Sequence, residues 1–500
     1  MLFKSILKIT VPILFLAIST ATAQEKTDTL KKQQYSTVQE FWNQLDGIFN
    51  DPNFSNATWG VIIQSLENGE YLYKRNENKL FIPASDLKII TTAAGLILLG
   101  PDYRFKTNVL INGKMDGSTL DGDLIIQGRG DPAISGRFYN GDKFKVYNDW
   151  ADSLSNYGID EIDGNLIGDD NSFDNLGMGK GWAWNAASYW YSAPSGAVSF
   201  NDNVVDIIVK ATQKFNYASI SIIPNTNYVV TTNNVMTVPA DSSTSIDVYR
   251  QSGTNLVNVF GTIREDDSTK TYATVSNPTQ YSMVVLKKIL GKNNIAVKGF
   301  PMDIDFVQKK LNEQKLKKLF TYYSPNLKEI IKVINKNSEN FYSEQLLKTI
   351  GLEEEGFGSA DNGVKAEKSV LQKMGILPDK INIVDGSGLS RLNLVSPAQI
   401  LKVLAYMFRN KNFIPFYNSL PIAGVDGTLG LRMKGTRADG NLRAKTGTHF
   451  GVSSISGYVY TADNEPVAFS IIVNNYTIPE EIAENIEDLV CLRLANFKRK

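Results

Sequence analysis

From about residue 105 to 300 the sequence changes texture, and this change limits the fold more than any other feature. Short β-branched runs such as "NVVDIIVKAT" and "TNLVNVFGTIRE" alternate with clusters of Gly, Asn, Asp and Ser. That pattern reads as strands punctuated by turns, with little long helical periodicity. Both flanks read differently. "STVQEFWNQLDGIF" (36–49) is an amphipathic helix, and "TWGVIIQSLENGEYLYKRN" (58–76) is a hairpin turning at Asn68-Gly69. "IPASDLKIITTAAGLILLG" (82–100) is an apolar helix. After 300, "SPNLKEIIKVINKNSENFYSEQLLKTIG" (324–351) puts Leu327, Ile330, Ile331 and Ile334 on one helical face, with Pro325 suited to its first turn. A strand hairpin (449–476) and a helix (479–497) close the chain. Five hundred residues exceed one ordinary core. The expectation is therefore an α/β catalytic domain, discontinuous in sequence (24–104 and 301–500), interrupted by a β-rich insertion (105–300) of one or two subdomains.

The first 23 residues stand apart. Lys4 and Lys8 precede an apolar run from Ile9 to Ile18, and Ala21-Thr22-Ala23 follows. This is a secretory signal peptide, cut after Ala23, so the mature protein is expected outside the cytoplasm without a transmembrane anchor. Lys plus Arg and Asp plus Glu are 52 each, so no basic field speaks for nucleic acid. One cysteine, Cys491, leaves no internal disulfide and no Cys-based zinc site. One histidine, His449, leaves no multi-His metal site. No metal or cofactor is expected.

A hydroxyl nucleophile without a histidine needs another base. Lysine serves if burial disfavours its ammonium form. Ser85-Asp86-Leu87-Lys88 puts a hydroxyl and an amine three apart at a helix start, on one face. The spacing is common; Ser5 and Lys8 share it inside the leader. Ser338-Glu339-Asn340 falls in a loop between two helices. There Ser338 can relay a proton to a leaving amine, and the Asn340 amide can hold a substrate carbonyl. Ser199-Phe200-Asn201 repeats this spacing in the insertion. Lys445-Thr446-Gly447-Thr448 opens a strand, where a cation and hydroxyls can receive a carboxylate. Gly447 is expected to leave room for a ligand. Each motif alone is weak. Together, in the order Ser-x-x-Lys, Ser-x-Asn, Lys-Thr-Gly, they form a known catalytic set.

With these motifs in place, the chain resembles the D-alanyl-D-alanine carboxypeptidase/endopeptidases of the class C low-molecular-mass penicillin-binding proteins. Further stretches carry the likeness: "GRGDPAIS" (128–135), "GWAWN" (181–185), "SAPSGAVSFNDN" (192–203), "DGSGLSRLNLVSP" (385–397) and "LPIAGVDGTL" (420–429). Glu339 departs from the family's usual Asp. The resemblance implies a transpeptidase/β-lactamase-like sheet-and-helix domain with the site between sheet and helices. It implies Ser85 as acylated nucleophile, Lys88 as base, Ser338 and Asn340 as a second wall, and Lys445, Thr446 and Thr448 as a third. Backbone N–H groups of Ser85 and Thr448 would form the oxyanion hole. The partners implied are peptidoglycan peptides and β-lactam antibiotics, and the place is the periplasm or the outer face of the cytoplasmic membrane.

Two residues carry narrower expectations. Arg391, in "DGSGLSR", is a candidate ligand for a carboxylate of the peptide side chain, while Asp385, Gly386 and Gly388 make a tight turn beneath the site. His449 should point away from the face of Thr448, because strand side chains alternate, and should not be a required base. The same residues also suit a serine β-lactamase or esterase, which would differ by fast deacylation. A non-catalytic wall-binding protein is disfavoured by the intact set.

Overall fold

A computed structural model describes residues 38–308 and 316–499. The expected leader, 1–23, lies outside the described residues. So do Ser36 and Thr37, the expected cap of the first helix, which is described as Val38–Phe49.

The two ends of the chain build one five-stranded antiparallel sheet. Its order is Arg443–His449, Val452–Tyr460, Pro466–Asn474, Thr58–Ser65, Tyr71–Arg75. The join is the ladder from Thr58↔Asn474 to Ser65↔Val467. Side chains on a strand face opposite ways in turn. Thus Val61 and Ile63 enter a core with Phe41, Leu45, Val490 and Leu494 of the two terminal helices. Ile62, between them, enters a second core with Ile90, Ile331 and Leu404. The centre of that second core is the helix Lys88–Leu98, buried along most of its length. Around it pack Leu327–Lys336, Asn340–Glu355, Ala360–Lys373 and Pro397–Phe408. Cys491 is a buried core thiol.

The insertion leaves along strand Arg104–Asp116 and returns along Lys317–Asn326. The two strands pair antiparallel, with Thr107 opposite Tyr322. Because its ends meet on adjacent strands, the insertion hangs from the catalytic domain without disturbing that domain's sheet. This ladder carries the β-rich sheet past residue 300, where the sequence reading closed the insertion. Pro325 is correspondingly the end of a strand, beside a break in register between Tyr323 and Asn326, and the helix starts at Leu327. A residue with no N–H to give is tolerated at such a break. The insertion has its own core, including Trp150, Ile207, Val259, Tyr281 and Leu286. It also holds two helices the pattern reading did not see, Lys145–Asn156 and Pro278–Lys292. The second buries residues on most sides (Tyr281, Met283, Val285, Leu286, Ile289, Leu290), so it shows no clean apolar stripe. Among the described residues no helix is long and apolar enough to cross a membrane.

Candidate active site

The short helical turn Ala84–Leu87 runs directly into the helix Lys88–Leu98. It raises Ser85, partly exposed, over Lys88, which is fully buried. Lys88 Nζ donates to Asn340 Oδ1 (2.6 Å) and the Ser387 carbonyl (2.6 Å) and lies 2.9 Å from Ser85 Oγ, within hydrogen-bond reach of that hydroxyl. All three partners are neutral. Burial, and secondarily the nearby Lys445 cation, push the Lys88 amine well below its usual range, which favours the neutral form.

Ser338 lies between the helices ending at Lys336 and starting at Asn340. Its φ of 58° is left-handed, unusual for a residue with a side chain, and marks a loop held by its surroundings. Ser338 Oγ accepts from Lys445 Nζ at 3.0 Å, and the Thr446 carbonyl accepts at 2.6 Å. Lys445 is fully buried, which lowers its pKa to about 8, with the Asp86 carboxyl opposing that shift. It therefore remains mostly charged at neutral pH. Asp86 is itself buried beside the strand Val452–Tyr460, its Oδ2 accepting from Ser456 Oγ at 2.6 Å. Five of the expected site residues, from three distant parts of the chain, thus form one hydrogen-bonded chain and its neighbour: Ser85, Lys88 and Asn340; Lys445 and Ser338.

The strand Arg443–His449 is at the edge of the sheet. Lys445, Gly447 and His449 alternate onto one face, Thr446 and Thr448 onto the other. A Cβ on Gly447 would stand 2.7 Å from Ser85 N and 2.8 Å from the Pro83 carbonyl. The glycine therefore makes room for the turn that carries Ser85. Gly388 serves the same turn from below, where a Cβ would meet the Ala84 carbonyl at 1.8 Å and φ is 82°. Thr446 Oγ1 pairs with Thr428 Oγ1 at 2.7 Å. Thr448 is exposed, and its hydroxyl serves Glu480, not the lysines. His449 does point away from Thr448, but that direction is the face of Ser85's turn, which the sequence argument overlooked. Its Nε2 donates to the Gly388 carbonyl at 2.9 Å, and burial lowers its pKa, so the ring is neutral. Arg391 sits exposed at the rim, held by the Phe450 carbonyl at 3.0 Å.

The sequence profile of the D-Ala-D-Ala carboxypeptidase 3 (S13) family matches residues 41–497. A D-alanyl-D-alanine carboxypeptidase of Actinomadura sp. (strain R39) is 31% identical over 470 residues, 92% of this chain and 85% of its own. The crystal structure of penicillin binding protein 4 from Haemophilus influenzae superimposes with a TM-score of 0.77 at 26% identity, covering 90% of this chain and 97% of that one. The same protein in complex with a β-lactam gives 0.72. The chain belongs to the S13 family. It is a serine-type D-Ala-D-Ala carboxypeptidase with the α/β fold of its Haemophilus relative.

Around this S13 site stand further supports. The buried Asp385 accepts from Gly388 N, Ser390 N, Asn393 Nδ2 and Trp182 Nε1, at 2.7–2.9 Å, and so knots the Asp-Gly-Ser-Gly turn to the insertion. Glu344 accepts from Ser387 N at 2.8 Å, behind the carbonyl that holds Lys88. Burial raises Glu344 to about 7. Asn340 Nδ2 donates to the Tyr191 carbonyl at 2.8 Å, and Glu339 meets Arg137 of the insertion at 2.6 Å. The turn holding Asp385 was marked in the sequence by its glycines, while Glu344 and the contacts of Tyr191 and Arg137 were not.

Proposed function

We propose that Ser85 is the nucleophile that opens the D-Ala-D-Ala peptide bond, and the observation that carries this is the fully buried Lys88 amine 2.9 Å from Ser85 Oγ among neutral acceptors. The Ser85 proton passes to Lys88 Nζ as Oγ bonds the carbonyl carbon of the penultimate residue. The negative oxygen that develops is stabilised by the backbone N–H groups of Ser85 and Thr448. As the tetrahedral species collapses, the terminal D-Ala leaves as an amine, taking the proton that Lys88 received by way of the Ser338 hydroxyl, which Lys445 holds, so that Lys88 is neutral again to deprotonate the attacking water. Lys445 and Thr446 bind the terminal carboxylate, and Asn340 the backbone amide of the peptide. Water then hydrolyses the ester. Beyond Ala444, whose N–H is taken by the Pro421 carbonyl, the outer edge of the strand Arg443–His449 offers main-chain groups for an extended peptide. Arg391 at the rim suits a carboxylate on the stem-peptide side chain. The reaction takes place outside the cytoplasm, with residues 1–23 as the export signal.

Penicillins carry the same carbonyl and carboxylate, so they acylate Ser85; the β-lactam complex of the Haemophilus relative supports this. Labelling with a fluorescent penicillin tests the assignment. The wild type should take up one label per chain and keep it, and Ser85→Ala none, at a cost to stability of at most about 1 kcal/mol, the scale of a lost cap. Label on Ser85→Ala would refute the nucleophile. Rapid release of label from the wild type would make the enzyme a β-lactamase.

A further inference from the structure

The insertion reaches the second wall of the site at two points. The Tyr191 carbonyl takes Asn340 Nδ2, which obliges the other end of that amide, Oδ1, to face Lys88. Arg137, on the turn Gly136–Phe138, grips the residue between Ser338 and Asn340: its Nη2 donates to Glu339 Oε1 at 2.6 Å. The grip is a built one. Arg137 Nε donates to Asp202 Oδ2 at 2.7 Å, and its guanidinium lies over the Tyr342 ring, 5.7 Å from the centroid. Tyr342 belongs to the first turn of the helix that Asn340 begins. Asp202 is aimed by three successive left-handed residues without glycine, Asn201, Asp202 and Asn203, with φ of 49°, 55° and 56°. Such a run persists only where its surroundings enforce it. Glu339 is buried, with 8% of its side chain exposed; burial raises its pKa to about 7, and the Arg137 guanidinium opposes that rise.

We propose that Arg137 is a positioning residue of the catalytic reaction: by clamping Glu339 it keeps Ser338 and Asn340 in register with Lys445 and Lys88, which makes the insertion part of the catalytic machinery. It touches no substrate and acts through Glu339. This rests on the assignment of Ser85, Lys88, Ser338 and Asn340 given above. The fork matters, because a planar guanidinium fixes the directions of Glu339 and Asp202 at once, which a flexible ammonium does not enforce.

The test is the first-order rate of acylation at saturating penicillin, per active site counted by stoichiometric labelling, for Arg137→Ala, Glu339→Gln, the double variant and Arg137→Lys. A merely structural role changes the fraction of active sites and the melting temperature but not this rate. Arg137→Ala should acylate roughly ten- to hundredfold more slowly, the scale of a misplaced catalytic group. The double variant should be no slower than Arg137→Ala, and Arg137→Lys should fall between it and the wild type. A wild-type rate per site in Arg137→Ala, or single effects that multiply in the double variant, overturns the proposal. Should Arg137→Ala not fold, Arg137→Lys decides: a rate below wild type supports the clamp, and a wild-type rate removes it. Failure of the wild type itself to label would strike the nucleophile assignment instead.

Discussion

The catalytic cleft and the seam between the helix Asn340–Glu355 and the insertion each bury a lysine, and the two are treated oppositely. In the seam, Lys348, with 3% of its side chain exposed, meets Asp174 at 2.7 Å and the Leu176 carbonyl at 2.8 Å. A charge taken out of water is there matched by a charge. In the cleft, Lys88 is as deeply buried but bonds a hydroxyl, an amide oxygen and a carbonyl, none of them ionised. Lys445 likewise bonds a hydroxyl and a carbonyl. Burying an amine among neutral partners disfavours its proton, and burying it on a carboxylate retains it. Lys88 is thereby left without a hydrogen-bonded charge partner, whereas the Asp86 carboxyl near Lys445 opposes the lowering of its pKa, which stays at about 8, and Lys348 is fastened to a carboxylate. Depth of burial alone does not distinguish the three; the charges around each do.

The contrast can be broken most directly at Lys88. Lys88→Met keeps the length and removes the amine, and acylation by penicillin should fall about a thousandfold, within the range for a lost general base, while the protein still folds. A stopped-flow loss below about tenfold would take Lys88 out of that role. Lys445→Met should cost roughly ten- to hundredfold in kcat/KM for peptides with a free terminal carboxylate, the scale of a charge-assisted contact, and less for the amidated peptide. Lys445 loses its proton as pH rises through about 8, so wild-type kcat/KM should decline on that alkaline side. The Lys88 amine, lowered well below its usual range, instead limits the acid side, since falling pH protonates the base. An alkaline decline that survives in Lys445→Met would assign it to another group.

Smaller effects sharpen the comparison. His449→Gln can still donate to the Gly388 carbonyl, and peptide hydrolysis should change by less than about tenfold; a hundredfold loss, the scale of a general base, would revive a histidine mechanism. Lys348→Met should leave acylation within about twofold, since no catalytic group depends on it, yet lower stability by about 1–3 kcal/mol by stranding Asp174. Denaturant titration checks the second part, and a slow but stable Lys348→Met would contradict the division drawn here.

Burial also leaves a carboxyl in reserve beneath the site. Glu367 is fully buried, and the Thr91 hydroxyl beside it donates to the Gly386 carbonyl. Burial raises Glu367 to about 8, from an ordinary 4.5, a rise that the Thr91 hydroxyl tempers. A raised folded value means that its contribution is fully present below the unfolded value and is lost as pH rises towards 8. Glu367→Gln, which cannot ionise, should therefore gain melting temperature over the wild type progressively from pH 5 to 8. An unchanged difference across that range would mean that Glu367 ionises as easily in the folded protein as in the unfolded chain.

What was legible in the sequence was local. Ser85 and Lys88 meet because helical positions three apart share a face, and Ser338 sits in a loop because "NKNSEN" interrupts two apolar stripes. The sheet's hairpins were legible from alternation and from Asn68-Gly69. The helix Pro278–Lys292 was not, because it is buried on most sides and shows no stripe. Pro325 was misplaced because proline suits a first helical turn and a strand break equally, and only the pairing with Arg104–Asp116 separates the two.

By itself, then, the sequence determined residue types, their order and their short-range geometry, enough to name a lysine-based hydrolase with a β-rich insertion. Only the tertiary structure decided which acceptors surround each lysine. Lys88 and Asn340 are 252 positions apart, and Arg137 and Glu339 are 202 apart. No periodicity reports such a meeting, because it depends on how separate elements pack. The same holds for Gly447 and His449, whose strand face follows from alternation but whose neighbours do not. The pKa of an amine, and with it the chemistry, is set by those neighbours and by the water they exclude. That is a property of the packed cleft, not of any stretch of chain.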